Sequence, residues 1–427
     1  MSSATRPRPS SAVSGSSGAV MSSAVAIEPT WPAALKTLLG RDAAEMSTEY
    51  FRMLDADALA VRPRQVAYRS GSSTTVRYDV DVRWPSGTTT TEPLVALLGR
   101  KLPEHAIRMG RGDDTVALWH WPNDPMLPGL AAAIDPGHVG RLFADLGLGD
   151  DPVVLRVRAY RPGRRAVVEA DNGTVRVFLK VVRPHRAEAL HETHRSLAGR
   201  LPVPDSIGWT NEGIVVLPGI GGATLREVLH SDGDVPDPAE IDSLLDHLPA
   251  ELAERALRTN WLDLARLHAD SIATTVPGAA RRVGEVIGRL DAASDAAVEH
   301  PVVPIHGDMY EAQLMVEGGR VVGLLDVDTA GAGHRVDDIA NFCAHLSVLA
   351  LVSRPSAPIR RFGARLLAHA EQRHDRADLR LRIAGAVVGL ATGSFRVLEP
   401  DWERHTLTRL DLAGDWIASA RRDRPPD

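Results

Sequence analysis

The stretch Val302–Leu346, VVPIHGDMYEAQLMVEGGRVVGLLDVDTAGAGHRVDDIANFCAHL, decides how the rest of this chain is read. It holds two short apolar runs, Val302–Ile305 and Val321–Leu325, each ending at a polar cluster that contains an aspartate, as strands do where they deliver side chains to a site. The first run delivers His306-Gly307-Asp308. The second delivers Asp326, with Asp328 two residues on. Glu317-Gly318-Gly319-Arg320 between them reads as a tight turn, so two antiparallel strands would bring Asp308, Gln313 and Asp326 toward one place.

Phosphoryl transfer needs such a set. One carboxylate accepts or orients the proton of the attacking hydroxyl, and hard oxygen ligands hold Mg²⁺ against the phosphates, because catalysis is mainly positioning and charge neutralisation. On this reading Asp308 is the base, and Gln313 and Asp326 are the metal ligands. The plainer alternative is a solvated hairpin whose aspartates cap turns, and Asp308 taken alone reads equally well that way. The joint pattern favours chemistry.

His306-Gly307-Asp308 with an amide at Gln313, then Leu325-Asp326, then Asp338-Ile339-Ala340 twelve residues after Asp326, resembles the aminoglycoside phosphotransferase and choline-kinase-like superfamily of small-molecule kinases. The resemblance covers about two thirds of the chain, from Asp151 onward. It implies a mixed α/β (α+β) bilobal protein-kinase-like fold, with a small antiparallel β lobe, a large helical lobe and ATP with Mg²⁺ between them. By the same resemblance His306 orients the catalytic loop and Asp338 braces that loop through hydrogen bonds to its backbone. The plainer alternative for Asp338 is a helix-start charge favoured by the dipole. The family loop usually ends in Asn, whereas Gln313 here is similar to the maltokinase and actinobacterial aminosugar-kinase branch. A longer amide still offers a carbonyl oxygen to a metal.

The remaining composition narrows the classes. A chain of 427 residues exceeds one ordinary domain core and suggests two or three units. A formal charge of −6 gives no overall basic footprint for nucleic acid. The single cysteine, Cys343, excludes an internal disulfide and fits a reducing, cytoplasmic setting. Apolar runs are too short for a membrane span. Residues 1–26, rich in Ser, Ala, Gly and Pro, read as a disordered tail, with Met21 an alternative start.

Residues 27–150 read as an N-terminal cap. Ala33–Leu39 is a short helix stopped by Gly40, and Arg62–Tyr68 and Thr74–Arg83 are strands, the second with one buried face by its period of two. Ala67–Val76 echoes Ala159–Val168, and Val116–Trp119 echoes Val177–Lys180, so the cap reads as a degenerate copy of the next segment with Trp119 where Lys180 stands. Two unrelated hairpins sharing a turn is the alternative.

Residues 151–218 read as the small lobe. Val154–Tyr160 and Ala166–Ala170 are strands joined by Arg161-Pro162-Gly163-Arg164-Arg165, and Asp171-Asn172-Gly173 turns the chain into Val175–Val182. Strand, loop, strand, turn and a third strand carrying Lys180 is the order in which kinase-like lobes cover ATP and set a lysine on its phosphates. The loop has one glycine; Arg161 and Arg164 beside Gly163 would supply charge, their planar forks suiting phosphate. A lysine facing inward needs a partner, and Glu188 or Glu192 on the helix Arg186–Arg200 is expected to provide it, Glu192 being favoured. Gly213–Pro218 leads to a Gly-rich elbow, where the resembled family has the hinge that takes the adenine edge, at about Leu217–Gly219.

Residues 219–427 read as the helical large lobe. Thr224–Glu227 is a capping box, and Ile241–Leu248, Ala250–Ser271, Ala279–Glu299, Asp337–Val352, Ile359–Ala370, Leu379–Leu390 and Thr406–Arg421 show helical spacing. The function expected is an ATP-dependent phosphotransferase acting on a hydroxyl of a small polar molecule such as a sugar, aminosugar or aminoglycoside-like natural product. The alternative is a pseudokinase that binds nucleotide without turnover. A protein kinase lacks support, because H-R-D, D-F-G and A-P-E segments are missing. Glu399, Asp401, Trp402 and Glu403 form an acidic, aromatic cluster that reads either as an acceptor site or as solvated helix-start charges. The sequence leaves the oligomeric state open.

Overall fold

The computed structural model describes residues 21–22, 25–294 and 298–422. The expected tail over 1–26 falls mostly outside them; of it, Met21–Ser22 (β1) pairs in parallel with Ala60–Val61. The N-terminal region continues through α1 (Ala33–Leu39), α2 (Arg41–Arg52), β2 (Asp57–Arg69), β3 (Ser73–Arg83), β4 (Thr89–Gly99), β5 (Ile107–Met109), β6 (Val116–His120), α3 (Gly129–Ala133) and α4 (Pro136–Asp145). Among the described residues its sheet has the order β1-β2-β3-β4-β6-β5.

Alternation in β3 turns Val76, Tyr78, Val80 and Val82 to one face, against Leu35, Leu38 and Phe51 of α1 and α2. The other face of β4 and β6 presents Val95, Leu97, Ala117 and Trp119 to the next layer. Leu94, Val95, Ala96 and Leu97 are all buried, so β4 has no alternation and escapes a reading based on period two.

That next layer comprises β7 (Val154–Arg161), β8 (Arg165–Asp171), β9 (Arg176–Val182), α5 (Ala187–Ala198), β10 (Gly208–Trp209) and β11 (Ile214–Pro218), in the sheet order β10-β11-β9-β8-β7. Ala166, Val168, Val177, Leu179, Val181 and Val216 point back at the first sheet and share its second core. Two sheets therefore pack face to face. Lys180 points the other way, on the face where Val182, Val215 and Leu217 meet Ala187 and Leu190 of α5.

The sequence repeat holds for the hairpins and fails beyond them. β2–β3 and β7–β8 close on equivalent pairs, Arg69 with Ser73 and Arg161 with Arg165, with Gly71 and Gly163 both at positive φ. The strand paired next to the β2–β3 hairpin is β4, and β6 lies beyond it, so Trp119 does not stand where Lys180 stands.

The rest is the helical lobe: β12 (Ala223–Thr224), α6 (Leu225–His230), α7 (Pro238–Asp246), α8 (Trp261–Thr275), α9 (Ala280–Ser294), β13 (Val303–Ile305), β14 (Leu314–Glu317), β15 (Arg320–Leu324), β16 (Gly331–Gly333), α10 (Arg335–Val352), α11 (Ala357–Ala370), α12 (Arg376–Ala391), α13 (Gly393–Arg396) and α14 (Trp402–Arg422). Thr224 and Glu227 complete the capping box reciprocally. α12 is buried nearly all round and packs against α8, α10 and α14. The single helix expected over Ala250–Ser271 is instead a 3₁₀ turn at Ala250–Glu254 and α8, restarted by the Asn260 cap on Asp263. Between them Arg255 and Arg258 turn their side chains to the carbonyls of Ala330 and Thr329. No helix of the described residues is long and apolar enough to cross a membrane.

Trp31 ties the first layer to the helical lobe: its ring meets Phe395 edge-on at 5.6 Å and its Nε1 donates to Thr275 O at 3.0 Å. Trp31→Ala is expected to lower unfolding free energy by about 3–5 kcal/mol in urea titration; a loss below about 1 kcal/mol would mean the two regions are not joined there.

Candidate active site

β13 runs antiparallel to β16 and hands the chain to His306, Gly307 and Asp308. Gly307 has φ +80°, and a Cβ there would sit 2.6 Å from Thr329 O, so the turn requires glycine. Asp338, in the first turn of α10, accepts from the backbone N–H of His306 at 2.7 Å and of Gly307 at 2.8 Å. Three residues on, Asn341 Nδ2 donates to Met309 O at 3.0 Å. One face of α10 thus holds the loop backbone at three points. The buried His306 ring donates from Nε2 to Leu325 O at 2.9 Å, while its Nδ1 accepts from the Asp308 N–H at 3.3 Å. A carbonyl can only accept and an amide N–H only donate, so this pair of partners fixes the tautomer.

β15 leads into Asp326, which takes the left-handed conformation at φ 57°, ψ 44°, one that aspartate tolerates. The 3₁₀ turn Val327–Thr329 then brings Asp328 beside it. Lys180 Nζ donates to Asp326 Oδ1 at 2.8 Å and to Asp328 Oδ1 at 2.5 Å, and Arg165 Nη1 reaches Asp326 Oδ1 at 2.8 Å. Burial alone would push the Asp326 carboxyl up; Lys180 and Arg165 outweigh it and hold the group well below the ordinary range. Asp308 moves the opposite way, pushed up by burial and then by the charge of Asp326.

The partner expected for Lys180 is therefore corrected. Ala187, Leu190, His194 and Leu197 are the face of α5 turned inward, which leaves Glu188 and Glu192 exposed on the outside. Lys180 pairs across the interface between lobes, with Asp326 and Asp328.

Arg161, Arg164, Arg165, Asp308, Asp326 and Asp328 line one cleft of about 330 Å³ between the lobes. Gln313 is buried and does not line it; its backbone carbonyl accepts from Leu325 N at 2.8 Å, next to Asp326. Leu217 pairs with Phe178, and Gly219 N donates to Arg176 O at 3.0 Å; neither lines that cleft, although Leu217 lies on the same face of the sheet as Lys180. Arg335 and Asp337 have structural partners, Arg335 in Asp246 at 3.1 Å and Asp337 in Arg382 at 2.9 Å. Glu399 is tied to His405 at 3.0 Å and Trp402 packs on Phe395, which makes that cluster a helix start.

What holds the arginine loop carries no signal in the sequence. Gly163, at φ +65°, donates its N–H to Asp124 Oδ2 at 2.7 Å, and its carbonyl accepts from Arg183 Nε and Nη2 at 3.0 and 2.9 Å. Asp124 is buried and also accepts from Tyr160 Oη at 3.0 Å and Met126 N at 2.9 Å, while Trp119 Nε1 donates to that same Tyr160 oxygen at 3.2 Å. The turn composition of Asn123-Asp124-Pro125 gives no hint of a partner 39 residues away. Beyond Asp308, Tyr310 stacks on His345 with centroids 4.3 Å apart, and burial pushes His345 down to about 3. Glu311, fully buried, takes Arg226 on one carboxylate oxygen, at 2.7 and 2.9 Å.

Among the described residues no cluster of three or more His, Cys, Asp or Glu could enclose a metal. Two adjacent carboxylates at a cleft, Asp326 and Asp328, are nonetheless the donor set Mg²⁺ uses when phosphates complete its shell.

A lysine on the third strand of a small sheet, a braced loop aspartate and a carboxylate pair between two lobes define a kinase-type phosphotransferase. The family model described as "Phosphotransferase enzyme family" matches residues 161–381, and the chain belongs to that family. A comparison with curated protein sequences finds no match. Similar solved structures include a thermostable mutant of aminoglycoside phosphotransferase APH(4)-Ia in ternary complex with AMP-PNP and hygromycin B, at 16% identity over 65% of this chain and 98% of that one, TM-score 0.48. Choline kinase from Cryptosporidium parvum Iowa II aligns at 11% identity over 67% and 97%, TM-score 0.47. Macrolide 2′-phosphotransferase MphH from Brachybacterium faecium aligns at 19% over 65% and 98%, TM-score 0.40.

Asp338→Ala leaves two loop N–H groups buried without an acceptor, an expected loss of about 2–5 kcal/mol in chemical denaturation. Asp338→Asn keeps one acceptor oxygen and should lose less. Equal losses for the two variants would show that the brace is not made through these hydrogen bonds.

Proposed function

We propose that the chain transfers the γ-phosphoryl group of ATP to a hydroxyl of a small polar molecule, of the sugar, aminosugar or aminoglycoside-like kind. The observation that carries this reading is the contrast within one cleft. Among the described residues no group is hydrogen-bonded to the Asp308 carboxylate, whereas Asp326 and Asp328 beside it are bound to Lys180 and Arg165. A carboxylate that is free, half-buried and raised suits a base; carboxylates flanked by cations suit a metal and phosphate site.

The division of labour follows. Asp308 takes the proton of the acceptor hydroxyl as that oxygen bonds to the γ-phosphorus and the bond from the γ-phosphorus to the β,γ-bridging oxygen breaks, with ADP leaving. Lys180, Arg165, Arg161 and Arg164 neutralise phosphate oxygens, and His306 and Asp338 keep the loop from shifting. Asp326 would hold Mg²⁺, with Asp328 beside it; Gln313, the other expected ligand, is buried outside the cleft lining and is not assigned to the metal. MgATP supplies the phosphoryl group and the metal's charge. In this scheme 27–150 is a cap, 151–218 the small lobe and 219–427 the large lobe.

The test is phosphotransfer from ATP across a panel of sugars, aminosugars and aminoglycosides. Asp308→Asn is expected to lower kcat by about 10²–10⁴-fold with nucleotide affinity kept, and Asp326→Ala to abolish Mg²⁺-dependent turnover. Nucleotide binding without turnover on the whole panel would sink the enzyme reading. Because Asp308 works deprotonated and its pKa is raised above 3.8, kcat/KM should fall on the acid side at a higher pH than an ordinary aspartate gives. An acid limb at or below pH 3.8 would remove Asp308 as the base.

A further inference from the structure

A second cavity, of about 740 Å³, lies between the two equivalent hairpin turns, Arg69–Ser73 of the first sheet and Arg161–Arg165 of the second. Arg396 of the helical lobe closes its side. Its lining holds nine arginines and lysines and no aspartate or glutamate, in a chain whose net charge is −6. That balance is not the surface average.

Cations this close repel one another, since charges within about 8–10 Å are not fully screened. Among the described residues none of Arg69, Arg100, Lys101, Arg161, Arg164 and Arg396 is paired with a carboxylate. Burial, then Arg69, Arg161, Arg165 and Arg183, push the Arg164 guanidinium down from its usual range. Arg77 turns into the same cavity with its Nε buried and unpartnered. Asp308 offsets part of the charge of Arg161 and Arg396; the excess that remains costs stability unless an anion completes the set.

The wall shared with the catalytic cleft is Arg161, Arg164 and Arg186, which line both spaces. Arg69, Arg77, Arg100 and Lys101 lie outside residues 161–381, the part matched by the family, and on the far side of the arginine loop from Lys180 and Asp326. The cavity's size is that of a small-molecule site, about 300–1,000 Å³.

We propose that this cavity binds a small, multiply charged phosphate anion, separate from the nucleotide, bridging the N-terminal sheet to the arginine loop. Arginine forks take phosphate oxygens in pairs, and several converging forks select two or more phosphate groups over a single carboxylate. An occupant would tie Arg69 and Lys101 to Arg164, so its binding and that of nucleotide should be coupled reciprocally through the loop. The proposal holds whichever acceptor the catalytic cleft takes.

The experiment is calorimetric titration of inorganic pyrophosphate, and separately of fructose 1,6-bisphosphate, into the full chain saturated with AMP-PNP at matched free Mg²⁺. One added site that weakens steeply with salt is expected. Arg69→Glu and Lys101→Glu, both exposed positions, should each weaken it by about tenfold or more, the size of one lost charge-assisted hydrogen bond. AMP-PNP affinity measured alone should stay unchanged in both variants. Tighter binding of the bisphosphate assigns the site to phosphate esters, and tighter pyrophosphate to inorganic chains. No binding with AMP-PNP in place, displacement of AMP-PNP by either probe, or equal affinity in wild type and variants would overturn the proposal. A failed acceptor panel leaves this result standing, so the two readings fail separately.

Discussion

Two carboxylates and two cations, drawn from opposite lobes, meet where Lys180 and Arg165 reach Asp326 and Asp328. Lys180 is 7% exposed and the two aspartates 15% and 11%, so no member could stay charged there alone without a cost of several kcal/mol. The members therefore depend on one another, and the cluster joins the two lobes at this point. Lys180 depends on β9 facing inward, and Asp326 depends on a left-handed residue at the end of β15. A strand register slipped by one residue would bury Leu179 or Val181 at the cleft and lose the pairing.

The N-terminal sheet contributes rigidity to that arrangement without entering the cleft. The second sheet is covered on one face by the first and over β9 and β11 on the other by α5, while its edge strand β7 keeps Val154 and Val157 exposed. Asp124 extends the contact from packing to polar bonding, since it gathers three donors around a buried carboxylate. Burial raises the pKa of that group despite those bonds, which marks how far from water the joint lies.

The legible parts were those where local chemistry is enough. His306-Gly307-Asp308, Asp326 and Lys180 announced themselves because each ends or interrupts an apolar run, and the hairpin turns because Gly163 and Gly173 leave few alternatives. Contacts set by how distant elements pack were not legible. Glu188 and Glu192 share a helix face, but which face turns inward is decided by Ala187, Leu190 and Leu197 against the sheet. β4 went unseen because burial on both sides erases alternation, and Asp124, Arg165 and Asn341 carry no motif at all.

The hydrogen bond from Gly163 to Asp124 also explains an oddity of composition. An amide already committed to a carboxylate cannot also cradle an oxyanion, so this turn presents guanidinium groups where a glycine-rich one would present main-chain donors. One glycine is then sufficient, since only a single residue must bend the backbone, and on the proposed function the positive side chains on either side of it would assume the task usually left to bare peptide.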